Sequence, residues 1–191
     1  MRRRHKVALV AAAAVVAGVA TVSGTHHTPR PASTGACGIE RWDVKTGQDP
    51  AARQVNLTAQ ATTVAALAAL PAPPGPTGRI GQEYQTYTVH GTLIAYKTET
   101  DSDYHLVFAD AQARTVIAEI PAPACVGSSP FAAAITAARA ALDAHLKPGG
   151  SYQTAAVPVT VTGVAFFDRV HGQRGVAGNG IELHPVLRIA F

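Results

Sequence analysis

The chain is short of what most recognisable activities need. Its 191 residues include two cysteines, one methionine and one tryptophan; aromatics make up 6% and charged residues 15%. So few aromatics make a poor stacking platform for single-stranded nucleic acid. It contains no Gly-x-Ser-x-Gly elbow, no phosphate-cradling glycine loop and no His-Glu-x-x-His helix. The serine-hydrolase, P-loop and zincin readings are therefore without their motifs. Acidic residues are missing altogether from the first 24 positions.

Those 24 positions carry something else. Arg2, Arg3, Arg4, His5 and Lys6 precede a small-apolar run of about 16 residues, Val7 to Val22, and Gly18-Val19-Ala20 offers the small residues that a signal peptidase reads. This is the layout of a secretory signal. The run is short for a membrane span, which needs roughly 20 strongly apolar positions; an uncleaved anchor is the alternative. Four of the 16 Lys and Arg residues fall in this leader, which leaves 12 basic against 12 acidic residues in the mature chain. A neutral mature chain lacks the phosphate attraction on which nucleic-acid binding rests. The expected product is secreted or otherwise extracytoplasmic, free of the membrane once cleaved, and monomeric.

After residues 1–24, the Pro-, Ser- and Thr-containing stretch 25–36 reads as a flexible linker. Cys37 and Cys125 are the only cysteines, and in an oxidising compartment an isolated pair reads as a disulfide. Two inert thiols or half of a zinc site are the alternatives, the latter lacking further ligands at suitable spacing. Residues 37–83 form an N-terminal extension. Its first part, 37–46, is expected to run extended against the core through Ile39, Trp42 and Val44. Short helices are expected after Asp49-Pro50 and after Thr62 or Thr63, the second stopped by Pro71.

The regular core spans 84–191. Tyr87, Val89, Gly91, Leu93 and Ala95 alternate with Thr88, His90, Thr92 and Ile94 in a long first strand, with Gly91 marking a bend. Strands follow at 104–109 and 114–120, then a helix opening at Ser129-Pro130 with Ile135, Ala138, Leu142 and Leu146 on one face. Val157, Val159 and Val161 mark a fourth strand; Ile181, Leu183, Leu187 and Ile189 mark a fifth, expected to close against strands one and four. Three strands, a helix and two strands is the order of an OB-fold-like five-stranded Greek-key barrel, here mainly β with one main helix.

The segments ERWDVKTG, YKTETDSDYHLVFAD and VTGVAFFDRVHGQRGVAGNGIELHPVLRI resemble a family of uncharacterised exported bacterial proteins. The resemblance spans most of the mature chain and implies a shared fold and a shared site, with no activity and no catalytic residues attached.

Two polar groups are candidate ligand contacts. Glu99, Asp101, Asp103 and His105 surround the turn between strands one and two; Asp168, His171, Gln173, Arg174 and Asn179 lie in the connector between strands four and five. In an OB-fold these two loops flank one ligand face. The first group's carboxylates suit a hard cation such as calcium, although Tyr104 stands where an EF-hand needs glycine; a solvated turn is the plainer alternative. Glu182 and His184 share one face of the fifth strand and, with His171, have the composition of a His-Glu-His divalent-metal site. The alternative is an outward, solvent-facing polar surface. His90 and His105 are expected as cross-strand neighbours. The reading that best fits the missing motifs is a non-enzymatic binding module for a small molecule, peptide or glycan, needing no cofactor. The rival is a secreted metal-dependent hydrolase of the nuclease or phosphodiesterase type.

Overall fold

The structure is a computed structural model that describes residues 37–75 and 78–191. The expected leader and linker lie outside the described residues. Helix α1 spans Trp42–Thr46, β1 Asn56–Thr62, α2 Val64–Ala68, β2 Gln85–Thr98, β3 Tyr104–Ala109, β4 Thr115–Ile120, α3 Ala132–His145, β5 Gln153–Phe167 and β6 Ile181–Ala190. None of the described helices is long and apolar enough to cross a membrane.

The sheet runs β1-β2-β3-β4-β6-β5, and β2 also pairs with β5. The last five strands therefore form a closed ring, with β4 and β6 parallel and the helix inserted between β4 and β5. This is the OB-fold-like arrangement expected from element order. Its interior is filled from alternate positions of each strand: Val89 and Leu93, Leu106 and Phe108, Val116 and Ala118, Val161 and Ala165, Leu183 and Ile189. Helix α3 closes one end with Ile135, Ala138 and Leu142, which stack because residues three and four apart share a helix face.

Several local expectations are corrected. Residues 42–46 are helical rather than extended, and Val44 is buried while Ile39 is 93% exposed. Strand β1 is an addition: it lies parallel to the start of β2 with six of its seven residues exposed, so no alternation marks it. The bulge in β2 falls between Leu93 and Ala95 rather than at Gly91. Gly91 answers a different need, since a Cβ there would sit 2.9 Å from the Ala109 carbonyl oxygen. Helix α3 begins at Ala132, and the Ser129 hydroxyl accepts from the Phe131 N–H instead of capping the first turn. Strand β5 is longer than Val157–Val161 at both ends. β6 closes against β5 and β4, not against β2. His90 pairs with Thr160 and His105 with Lys97 and Glu119, so the two histidines are not neighbours.

Two ion pairs brace the N-terminal extension internally, and the first also ties it to the barrel at Phe167. Arg41 meets both oxygens of Glu83 at 2.8 and 2.6 Å and donates to the carbonyls of Phe167 and Gly78. Arg79 meets both oxygens of Asp49 and donates to the carbonyls of Val44 and Glu83. Forked guanidinium–carboxylate pairing of this kind fixes orientation as well as adding attraction. It holds Arg41 at φ 48°, an unfavourable backbone state for a non-glycine residue. The cystine Cys37–Cys125 anchors the start of the extension to the turn after β4.

Candidate functional site: a buried acid–imidazole layer beneath a loop pocket

Strands β3 and β4 and the first six residues of β6 are buried on both faces. The outer face of an OB-like sheet is covered here by α1 and by the connector 168–180, which presses close enough that a Cβ on Gly175 would overlap the Val107 methyls. Sheet register sets the chemistry beneath this cover. His105 is the cross-strand partner of Glu119, and β4–β6 pairing of Ile117 with Glu182 and Ala118 with Leu183 carries on to set Glu119 beside His184. One row across three strands thus reads His105, Glu119, His184. Asp103 enters from just before β3, and Glu182 sits two residues along β6 on the same side, paired with Phe166 of β5.

All five polar side chains are buried: Asp103 and His184 are 0% exposed, Glu182 1%, His105 2% and Glu119 9%. The outward-facing alternative for Glu182 and His184 is therefore corrected. Alternation along β6 placed them opposite the barrel core, but the covering segments turn that side into a second, polar interior.

The contacts form a chain. His105 Nδ1 lies 2.8 Å from Glu119 Oε1 and 3.5 Å from Glu99 Oε1; His184 Nδ1 lies 3.1 Å from Glu119 Oε2, and its Nε2 3.2 Å from Asp103 Oδ2. His105 Nε2 is 3.1 Å from the Arg174 carbonyl. A carbonyl only accepts, so Nε2 carries a proton, and the short Nδ1 contact to a carboxylate calls for a second one. His105 is thus an imidazolium in this arrangement. Burial pulls its pKa down, yet the hydrogen bond and charge of Glu119 outweigh that and raise it. His184 behaves alike: burial opposes its charge, but Asp103 and Glu119 prevail and hold it at about 9. Burial would raise Glu119, and the two histidines reverse this and hold it below the ordinary carboxylate range. Glu182 goes the other way, raised well above its ordinary value by burial and then by the charges of Glu119 and Asp168.

The geometry of His184 differs from that of His105. Both of its ring nitrogens, Asp103 Oδ2 and Glu182 Oε2 lack an aligned hydrogen-bond partner, although the distances are short. Glu182 Oε2 stands 4.0 Å from His184 Nδ1. Among the described residues, two groups bring metal-competent donor atoms within 4.8 Å of one another: Glu99, His105 and Glu119, and Asp103, Glu119 and His184. His171 belongs to neither.

Above the layer lies a pocket of about 480 Å³ lined by residues 37–40, Trp42, Lys45, Thr100, Asp101, Asp168 and His171. Lys45 links the two levels. It pairs with Asp168 at 3.3 Å; burial would lower its pKa, but the charges of Asp168, Glu119 and Glu182 raise it. Asp101 and the pair Asp168 and His171 come from the two loops named from the sequence, and they do share one pocket.

The other candidate residues are structural in their contacts. The Gln173 side chain donates to the Arg169 carbonyl and accepts from the His171 N–H, holding the loop in shape. Asn179 donates to the carbonyls of Leu67 and Leu70, stapling the loop to α2. Glu99 pairs with Lys97 at 2.8 Å. The Arg174 guanidinium lies 5.0 Å from the centre of the Tyr152 ring, against which Lys97 also packs. Sequence reasoning passed over Glu119, the hub of the layer, and Lys45, its roof. A signal existed for Glu119: it is the lone charge in the strand TVIAEI, on the same side as Ile117. Compared with family profiles, curated proteins and solved structures, the chain matches none.

Proposed function

We propose that the chain is an exported, non-enzymatic binding module that takes a peptide or glycan ligand in the pocket over α1, and that it belongs with the exported bacterial family its segments resemble. One observation carries this reading: Asp101 from the β2–β3 loop and Asp168 and His171 from the β5–β6 loop line the same pocket, at the place where OB-fold loops flank a ligand. The lining has three carboxylates, Glu40, Asp101 and Asp168, against Lys45 and His171. Lys45 is already matched to Asp168. The remaining excess of negative charge repels phosphates and favours a basic side chain or a hydroxyl-rich sugar, with Trp42 as the apolar wall. The disulfide agrees with an oxidising compartment.

Peptide and glycan arrays probed with the purified protein test the proposal. Binding of a basic peptide or a glycan that weakens at least about tenfold in Trp42→Ala and Glu40→Gln, a loss of roughly 1.4 kcal/mol, supports it. Binding indifferent to both changes, or tight single-stranded DNA binding that collapses with salt, contradicts it.

A further inference from the structure

We infer that the buried layer beneath the pocket is a binding site for one divalent transition-metal ion of the zinc or manganese class, held by Asp103, Glu119 and His184 with Glu182 beside them. This site is separate from the ligand pocket and does not depend on the function proposed for it. Three features carry the inference. First, the donors converge: one atom each from Asp103, Glu119 and His184 lie within 4.8 Å of one another. Asp103 Oδ2 lies 3.2 Å from Nε2 of His184 and Glu119 Oε2 3.1 Å from its Nδ1, so the ion takes one ring nitrogen and the carboxylate on the other side turns towards it. Second, two of the three ligands and the neighbouring Glu182 are left without aligned hydrogen bonds. Asp103 Oδ2, Glu182 Oε2 and both His184 ring nitrogens are fully buried and unpartnered, whereas buried polar groups in native proteins are nearly always satisfied.

Third, the surroundings supply what metal ligands need. Glu119 is oriented from behind by the 2.8 Å contact with His105, and His105 is itself fixed by the Arg174 carbonyl. An outer partner that orients a ligating carboxylate is a regular feature of metal sites. The donor set selects the ion. An imidazole is a poor ligand for calcium or magnesium, which take oxygen shells, while one imidazole with carboxylates suits zinc, manganese or iron(II). The absence of thiolates disfavours copper(I).

The location also decides what such an ion would do. Asp103 and His184 are 0% exposed and Glu119 9%, and none of the three lines the pocket, so the ion is out of a pocket ligand's reach. A closed site is structural; the hydrolase reading would need an open one. The inference also moves the metal away from His171, which is exposed in the loop above.

The test uses the full disulfide-bonded chain, purified without a histidine tag and stripped with chelator. Titration with Zn²⁺ and separately with Mn²⁺, against Ca²⁺ and Mg²⁺ as controls, should give one ion per chain for a transition metal. The thermal midpoint should rise as that ion is added. Asp103→Asn keeps the shape and removes the charge; with His184→Gln it should weaken binding at least about a hundredfold, while His171→Ala leaves it unchanged. If neither variant folds, the wild type decides: the ring signals of His184 in the NMR spectrum should broaden with substoichiometric Mn²⁺ before those of His90, His145 or His171. No stoichiometric binding, affinity unaltered in Asp103→Asn, or broadening that begins at His171 would overturn the inference.

Discussion

Glu119 and His184 show how far a single side chain's meaning depends on what covers it. Each is polar in an apolar strand, and each would be routine on a solvated face. Buried together with Asp103, His105 and Glu182, they become interdependent titrating groups whose shifts predict a pH profile for the metal-free protein. His184 has its folded pKa raised to about 9 from 6.5. Its contribution is therefore fully present below about pH 6.5 and is lost as pH climbs through 9. His105 is raised as well and acts in the same direction. Asp103, raised by burial against the pull of His184, and Glu182, raised further, both charge less readily when folded than unfolded, so their deprotonation also costs stability as pH rises. Glu119, depressed, opposes these only in strong acid. Lys45, raised above its ordinary value by the carboxylates around it, keeps its charge across the window. Denaturant unfolding of the chelator-treated protein should show stability falling between pH 6.5 and 9.5, by an amount on the order of a few kcal/mol. Stability that stays flat or rises across that interval would mean the histidines are neutral in the fold.

The elements differ in how plainly they were written in the chain. Helix α3 carries a clear periodic pattern because one face meets an apolar core, and β3 and β4 read as short apolar runs bounded by polar turns, so their places follow from the residues alone. β1 carries no pattern: with both faces exposed, only its hydrogen bonds to β2 make it a strand. α1 has five residues, too few for intrinsic helicity, and exists because Arg79 braces it within the extension and Arg41, at its start, is bonded to the Phe167 carbonyl of β5. The candidate site was legible in composition and not in arrangement. Asp103, His105, Glu182 and His184 stood out as polar, but alternation tells only that a side chain points away from the core, not that another segment will bury it. Strand β6 gives the clearest mutational contrast at this scale. Leu183 is 0% exposed, inside the ring between β5 and β4, whereas Arg188 is exposed. Leu183→Ala should cost about 2–5 kcal/mol in equilibrium unfolding, and Arg188→Ala under about 0.5 kcal/mol. Equal losses at the two positions would show that β6 does not face the interior as described.

At the scale of the whole molecule, the N-terminal extension holds the site together. It supplies Lys45 and part of the pocket, and it covers the buried layer; it reaches the barrel through the Lys45–Asp168 pair, the bonds of Arg41 and Glu83 to the Phe167 backbone, a short parallel strand, the packing of Val64 and Leu67 into the core, and one cystine. The Cys37–Cys125 bond spans 88 residues of sequence and encloses β1 through β4. Cross-linking so long a segment removes much of the unfolded chain's freedom, worth about 4 kcal/mol in the chain-entropy account. Alkylation of the unreduced protein should therefore label neither thiol. Reduction should lower the unfolding free energy by an amount near that figure. The closed ring of strands and the burial of Val64 and Leu67 in its core do not depend on the cystine, so the reduced barrel should remain folded and unfold in a single transition. The pocket should suffer more than the barrel, because residues 37–40 line it and lose their tether. Ligand affinity that falls on reduction while the fold persists would place the cystine among the determinants of the site. Full labelling of both cysteines before reduction would refute the bond, and with it the main structural support for export to an oxidising compartment.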